Sequence, residues 1–206
     1  MGEVISVISG KGGTGKTTVC AAVASCLAAE GSRVLCIDAD IGLRNLDIAL
    51  GMAELPVLAF TEVLEGNFTL MDATAHPELD KLFLLTAPSR AGDRSVSPAA
   101  FAMLLHDARE QFDYVLIDSA AGIGDSFRLA TDSADRCVIV CTSDPACLRD
   151  AACTADLLEL RGHRDVSLVV NRVNPKMFSR MKLTVDDIMD TVGLPLVGVV
   201  PDDASD

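Results

Sequence analysis

No apolar run in these 206 residues approaches the ~18 needed for a membrane-spanning helix. Basic residues are scarce, with 17 Lys and Arg against 30 Asp and Glu, a net charge of −13. That balance opposes a sequence-independent grip on nucleic acid or on an anionic membrane, and it argues against DNA as a partner. None of the seven cysteines, at positions 20, 26, 36, 137, 141, 147 and 153, forms a Cys-x-x-Cys pair. Zinc, iron–sulfur and thioredoxin-type chemistry therefore have no ligand set of the usual spacing, and the cysteines read as reduced core residues. His76, His106 and His163 share no ligand spacing either and read as surface residues. Repeats and low-complexity tracts are missing, and Met1-Gly2-Glu3 lacks the basic, then apolar, opening of a secreted chain. The expectation is a cytoplasmic protein. A hydrophobic content of 50% is enough for one sizeable core, and the length favours a single domain over residues 1–206.

What is there concentrates at one point. The apolar run Val4-Ile5-Ser6-Val7-Ile8 leads into Gly10-Lys11-Gly12-Gly13-Thr14-Gly15-Lys16-Thr17-Thr18, and Val19 to Ala29 favours helix. Strand, glycine loop and helix in this order make a P-loop: backbone N–H groups turn inward around phosphate oxygens and the helix dipole favours the negative charge. Lys16 is placed to reach the β- and γ-phosphates, and the Thr17 hydroxyl suits Mg²⁺. Gly10-x-Gly12-x-x-Gly15 also fits a dinucleotide fingerprint, with Asp38 near a ribose-binding position. A dinucleotide site has no use for Lys-Thr directly after the third glycine, whereas a triphosphate site needs that cation and that hydroxyl.

The rest of the chain alternates strand and helix. Strands are expected at 33–38, 81–86, 112–118, 136–142, 166–170 and 196–200, and helices near 60–64, 99–111, 147–160 and 184–191. Such alternation implies a doubly wound, mostly parallel α/β sheet, in which ligands bind at the carboxyl ends of the strands. Asp38 and Asp40 fall at one such end. Asp118 closes the apolar run Val115-Leu116-Ile117 and is placed near the metal as a Walker B carboxylate.

Lys11, at the second position of the loop, makes Gly-Lys-Gly-Gly-Thr-Gly-Lys-Thr-Thr resemble the deviant Walker A motif of the MinD/ParA family of ATPases. The stretch Ile37-Asp38-Ala39-Asp40-Ile41-Gly42-Leu43-Arg44-Asn45-Leu46-Asp47 resembles that family's switch I. Asp118-Ser119-Ala120-Ala121-Gly122 resembles its switch II, with Ala120 where proline is expected, a change that frees a φ angle.

The resemblance covers nearly the whole chain and implies a SIMIBI-type P-loop fold, ATP and Mg²⁺ as cofactors, and slow hydrolysis in an ATP-dependent homodimer. It also implies roles for residues. Lys11 reaches the partner's phosphates, while Asp38 and Asp40 hold the attacking water or the metal's water shell. Gly122 offers its N–H to the γ-phosphate. Asn171, followed by Arg172, recognises adenine, and Pro201-Asp202-Asp203 lies beside the base. Division-site placement with MinC-like and MinE-like regulators is the implied process. The alternatives are a ParA-like partition ATPase, a flagellar-number relative, a non-hydrolytic nucleotide-binding adaptor, and an iron–sulfur carrier lacking its cysteine pair. Members of the family continue past the position of Asp206 with further helices and a membrane-targeting helix. The expectation is a C-terminally short form, with peripheral membrane binding only in a longer one, because Leu196 to Asp206 holds no Lys or Arg.

Overall fold

The computed structural model describes residues 1–41, 43–88, 96–174 and 184–202. Gly42, Asp203 and the end of the chain, all named above, lie outside the described residues. Eight strands form one sheet: β1 (Glu3–Ile8), β2 (Val34–Asp38), β3 (Thr74–Ala75), β4 (Leu82–Leu85), β5 (Tyr114–Asp118), β6 (Arg136–Cys141), β7 (Val166–Val173) and β8 (Leu196–Pro201). Their order is β3-β4-β2-β5-β1-β6-β7-β8, parallel throughout except for the two-residue β3, which runs antiparallel to β4. This is the doubly wound, mostly parallel α/β sheet that the alternation implies. From β1 the chain goes out over β2 to β3 and β4, returns to place β5 beside β1, and then continues on the other side through β6, β7 and β8, so the reversal lies at β1 and β5, where ligand crevices form.

Among the described residues seven α-helices accompany the strands: α1 (Lys16–Ala29), α2 (Leu46–Ala49), α3 (Phe60–Leu64), α4 (Pro98–Gln111), α5 (Asp125–Thr131), α6 (Pro145–Leu160) and α7 (Val185–Val192). Burial on both faces explains the unbroken apolar runs of the central strands. On one face Val7, Cys36, Leu116 and Val140 pack against Val19, Cys20 and Ala24 of α1. On the other, Val4, Ile37 and Ile117 meet Phe101, Leu104 and Leu105 of α4. Further along that face, Ile8, Ile139 and Leu168 meet Leu148, Ala151 and Leu158 of α6.

The register sets the site. Asp118 lies opposite Val7 on one neighbour and opposite Asp38 on the other, so the two acids stand side by side at the carboxyl edge. Three details depart from expectation. Strand β7 runs on to Val173, taking Asn171 into the sheet rather than into a turn. Helices α2 and α5 and strand β3 have no forecast in the sequence, being short and weakly periodic. His76 and His163 are half-buried, not surface residues. The His76 ring bridges the Leu50 carbonyl (2.9 Å) and the N–H groups of Glu78 and Leu79 (3.1 Å each), contacts that polar neighbours in sequence do not announce. All seven cysteines are free, five of them buried and Cys26 and Cys153 exposed. Among the described residues no helix is long and apolar enough to cross a membrane.

Candidate nucleotide site

Where β1 ends, residues 9–15 turn the chain into α1. Gly13 (φ 82°) and Gly15 (φ 84°) take the left-handed conformation that side chains disfavour. Gly10 is constrained from outside: a Cβ there would sit 2.6 Å from the Asp150 carbonyl oxygen and 2.8 Å from Thr154 Oγ1. The loop therefore rests directly on the backbone of α6. Gly10→Ala is expected to force the two apart, costing about 1–3 kcal/mol of stability and weakening nucleotide binding. Thermal melts with and without ATP check this, and an unshifted apo melt would show that α6 yields freely.

The N-cap of α1 is Gly15, and no side chain caps the helix. Its first-turn N–H groups, which a helix leaves unpaired, and its positive dipole end open on a cleft of about 490 Å³. Gly12, Gly13, Thr14 and Gly15 all line this cleft. That arrangement fits an anion.

At the floor of the cleft Lys16 is 7% exposed and ion-paired to Asp118, itself 1% exposed. Thr17 Oγ1 donates to the second Asp118 oxygen at 2.7 Å, and Lys16 Nζ lies 3.5 Å from the same hydroxyl. Burial holds the Asp118 carboxyl above its ordinary pKa, while the Lys16 charge and the hydrogen bonds from Lys16 and Thr17 pull it back. A cation, a hydroxyl and a carboxylate thus meet at one point, a set with the chemistry to hold a phosphate and a metal ion.

Asp38 is fully buried and its carboxylate is spent on its own loop. It accepts the N–H groups of Asp40 (2.9 Å), Asn45 (3.1 Å) and Leu46 (3.0 Å), holding the segment that starts α2. Asp40 is half-buried and lines the cleft. Its carboxyl is raised above the ordinary value by burial first and by the Asp38 charge second, with Lys16 opposing. Of the two switch acids, Asp40 is the one presented to the cleft.

Lys11 is half exposed, its Nζ 3.7 Å from Asp144 Oδ1. Asp144 also caps α6, accepting from the N–H groups of Ala146 and Cys147 at 3.1 Å each. Asn171 donates its amide N–H to the Thr14 carbonyl (2.8 Å), and its Oδ1 accepts from the Arg172 N–H (2.9 Å). Arg172, with a left-handed φ of 54°, donates through Nη1 to the Gly13 carbonyl at 3.3 Å. The end of β7 thereby clamps the outer turn of the loop. The Gly122 N–H donates to the Ser9 carbonyl at 3.0 Å, and its φ of 90° accounts for the glycine. Pro201 and Asp202 stand at the end of β8, where the Asp202 N–H donates to the Val173 carbonyl (3.0 Å), and neither lines the cleft.

Gly12 to Thr18, Asp40 and Arg172 therefore line the cleft, Asp118 touches it through Lys16 and Thr17, and Gly10, Lys11, Asp38, Gly122 and Asn171 brace or flank it. Sequence reasoning missed Ser9, Leu43, Asn45, Ile48, Ala49 and Ala121, which complete the lining. It also missed Asp144, although Asp-Pro at the start of a helix is a recognisable cap signature.

Strand, uncapped glycine loop and helix, with Lys16, Thr17 and Asp118 in mutual contact, define a P-loop nucleoside-triphosphate-binding protein. The CbiA family, the CobQ/CobB/MinD/ParA nucleotide binding domain, matches residues 5–206. The chain is 40% identical over 206 residues to the septum site-determining protein MinD of Thermotoga maritima, covering 98% of this chain and 76% of that one. It superimposes on MinD in the MinC:MinD cell division protein complex of Aquifex aeolicus with a TM-score of 0.90 and 35% identity, covering 98% of this chain and 82% of that one. The septum site-determining protein MinD of Pyrococcus horikoshii, solved with Mg-ADP, matches with a TM-score of 0.82 and 27% identity, covering 98% and 82%. The chain belongs to the CobQ/CobB/MinD/ParA nucleotide-binding family and, within it, to the MinD-type ATPases.

Proposed function

We propose that residues 1–206 act as one P-loop ATPase domain that binds Mg·ATP in the cleft beside Lys16, hydrolyses it slowly as a nucleotide-bridged homodimer, and serves as a switch in division-site placement. The observation that carries this reading is the Lys16–Thr17–Asp118 contact under an uncapped helix N-terminus. With Mg·ATP bound, Lys16 would exchange Asp118 for β/γ-phosphate oxygens, and Thr17 and Asp118 would hold the metal, Asp40 assisting through water. Bound Mg²⁺ neutralises and orients the phosphoryl oxygens. Asp40 positions the attacking water, Asp38 positions Asp40, and Lys11 of a second copy adds charge at the transferring group. The Gly122 N–H turns from Ser9 to the γ-phosphate.

Asn171 keeps one amide hydrogen and one lone pair for adenine beyond the bonds it makes to Thr14 and Arg172. Pro201 and Asp202 would complete the base pocket. The MinC:MinD complex of Aquifex aeolicus supports a MinC-like regulator, and a MinE-like activator accompanies it in the same scheme. We place the protein in the cytoplasm, with peripheral membrane contact only in a longer form. Light scattering tests the switch: ATP with Mg²⁺ is expected to double the particle mass and ADP to leave it unchanged. Equal mass in both would refute the nucleotide-bridged dimer.

A further inference from the structure

On the sheet face opposite α1, an open groove of about 530 Å³ runs between the segment 63–70 and α4. Leu70 and Leu104 form its buried floor, and the walls carry Phe68 and Met103, which stay 46% and 69% exposed. A T-shaped contact between Phe60 and Phe101, with ring centroids 5.4 Å apart, ties α3 to α4 beneath it. The apolar part is therefore a shaped recess on a packed base.

One edge of the groove has a single chemical character. Met103, Asp107 and Glu110 follow at i, i+4 and i+7 along α4, a spacing that puts them on one stripe of the helix. Gln111 closes the stripe with a buried Oε1 that accepts no hydrogen bond. Neither carboxylate has an ion-pair or hydrogen-bond partner among the described residues, and the described lining contains no Lys or Arg. An apolar trough bordered by two unpaired carboxylates presents negative charge along this edge. Since helix α4 descends toward the amino edge of the sheet, the acidic end of the groove points away from the nucleotide cleft, leaving both open together.

From this juxtaposition we infer that the groove docks a partner protein through a cationic amphipathic helix. Apolar side chains of the partner enter between Phe68 and Met103, and its Lys or Arg side chains meet Asp107 and Glu110. Helix-in-groove recognition combines such a trough with anchors at i, i+3, i+4 and i+7. Rim charges set orientation and encounter rate more than affinity, so the fit predicts specificity for the sign of the partner's charge.

The probe is a fluorescein-labelled synthetic helix of leucine and lysine in that spacing, with a leucine–glutamate helix as its counterpart, titrated by fluorescence anisotropy into the whole chain. The lysine peptide is expected to saturate, and Asp107→Lys/Glu110→Lys to weaken it about tenfold, two ion pairs lost and made repulsive. Met103→Asp, at an exposed position, should weaken it roughly fivefold or more. Because the protein's net acidity attracts any polycation, Asp186→Lys/Asp190→Lys on α7 serves as a control of identical net charge and should leave affinity within about twofold. ATP affinity in each variant monitors folding and should not change. Equal weakening by the two double variants, tight binding of the glutamate peptide, or no saturable binding each overturns the proposal. So does nucleotide-independent self-association that Met103→Asp abolishes, since the groove would then hold a second copy.

Discussion

Lys16→Ala is expected to bring ATP binding below detection by titration calorimetry, a loss of about 3 kcal/mol or more, which is at least a hundredfold in affinity. The side chain is buried at the floor of the cleft against Asp118, whereas Arg172, the other cation among the described lining residues, sits at the outer turn on the Gly13 carbonyl. Removing it also leaves Asp118 buried beside one hydroxyl. Burying a charge after its partner is deleted costs about 3–5 kcal/mol when the charge is retained. Asp118 has a cheaper course: with the lysine gone, the largest influence lowering its carboxyl pKa is gone, and burial drives it to take up a proton. The variant should therefore fold, with a modest loss of melting temperature, and still fail to bind. Thr17→Ala is expected to bind ATP without the usual gain from Mg²⁺. Unchanged ATP affinity in folded Lys16→Ala would sink the assignment of the cleft.

The loop was legible because its chemistry is local. Glycines at 10, 12, 13 and 15, then Lys16 and Thr17, carry their meaning in the spacing, and the apolar run before Asp118 places that acid at a strand end without further help. What stayed hidden depends on direction and on tertiary contact. Nothing in Ile37-Asp38-Ala39-Asp40 says that the first acid turns back to cap its own loop and the second faces the cleft; the three N–H groups gathered by Asp38 decide it. Only the docking of α6 explains why Gly10 has no side chain. The expected strand stops at Val170, just short of Asn171, whereas pairing with β8 carries β7 on to Val173, and the Asn171 amide reaches Thr14. Short helices such as α5 offer too few turns for a 3.6-residue period to emerge.

Lys11→Ala should separate binding from turnover: ATP affinity of the monomer changes little, while the ATP-dependent doubling of mass and the hydrolysis that follows it are lost. The geometry gives the reason. Lys11 is half exposed on the outer side of the loop, and it pairs with Asp144 at 3.7 Å, not with a cleft residue. A cation so placed contributes little to a nucleotide held by its own chain and is free to reach a second one. The pair with Asp144 is a solvent-screened contact worth about 0–1 kcal/mol, weak enough to release the lysine when another anion is offered. Asp144→Asn keeps the cap on α6 through its side-chain oxygen and removes the competing charge. It should therefore shift dimerisation to lower protein concentration by up to about fivefold, the worth of such a pair. Asp40→Ala acts at the later step: the acid facing the cleft is lost, phosphate binding by Lys16 is retained, and the ATP-bound dimer should accumulate with turnover reduced about a hundredfold or more. Analytical ultracentrifugation with single-turnover hydrolysis reads all three variants on one protein preparation each. A Lys11→Ala protein that still dimerises with ATP would place the bridging charge elsewhere, and Arg172, which lines the cleft and donates to a loop carbonyl, would be the next residue to replace.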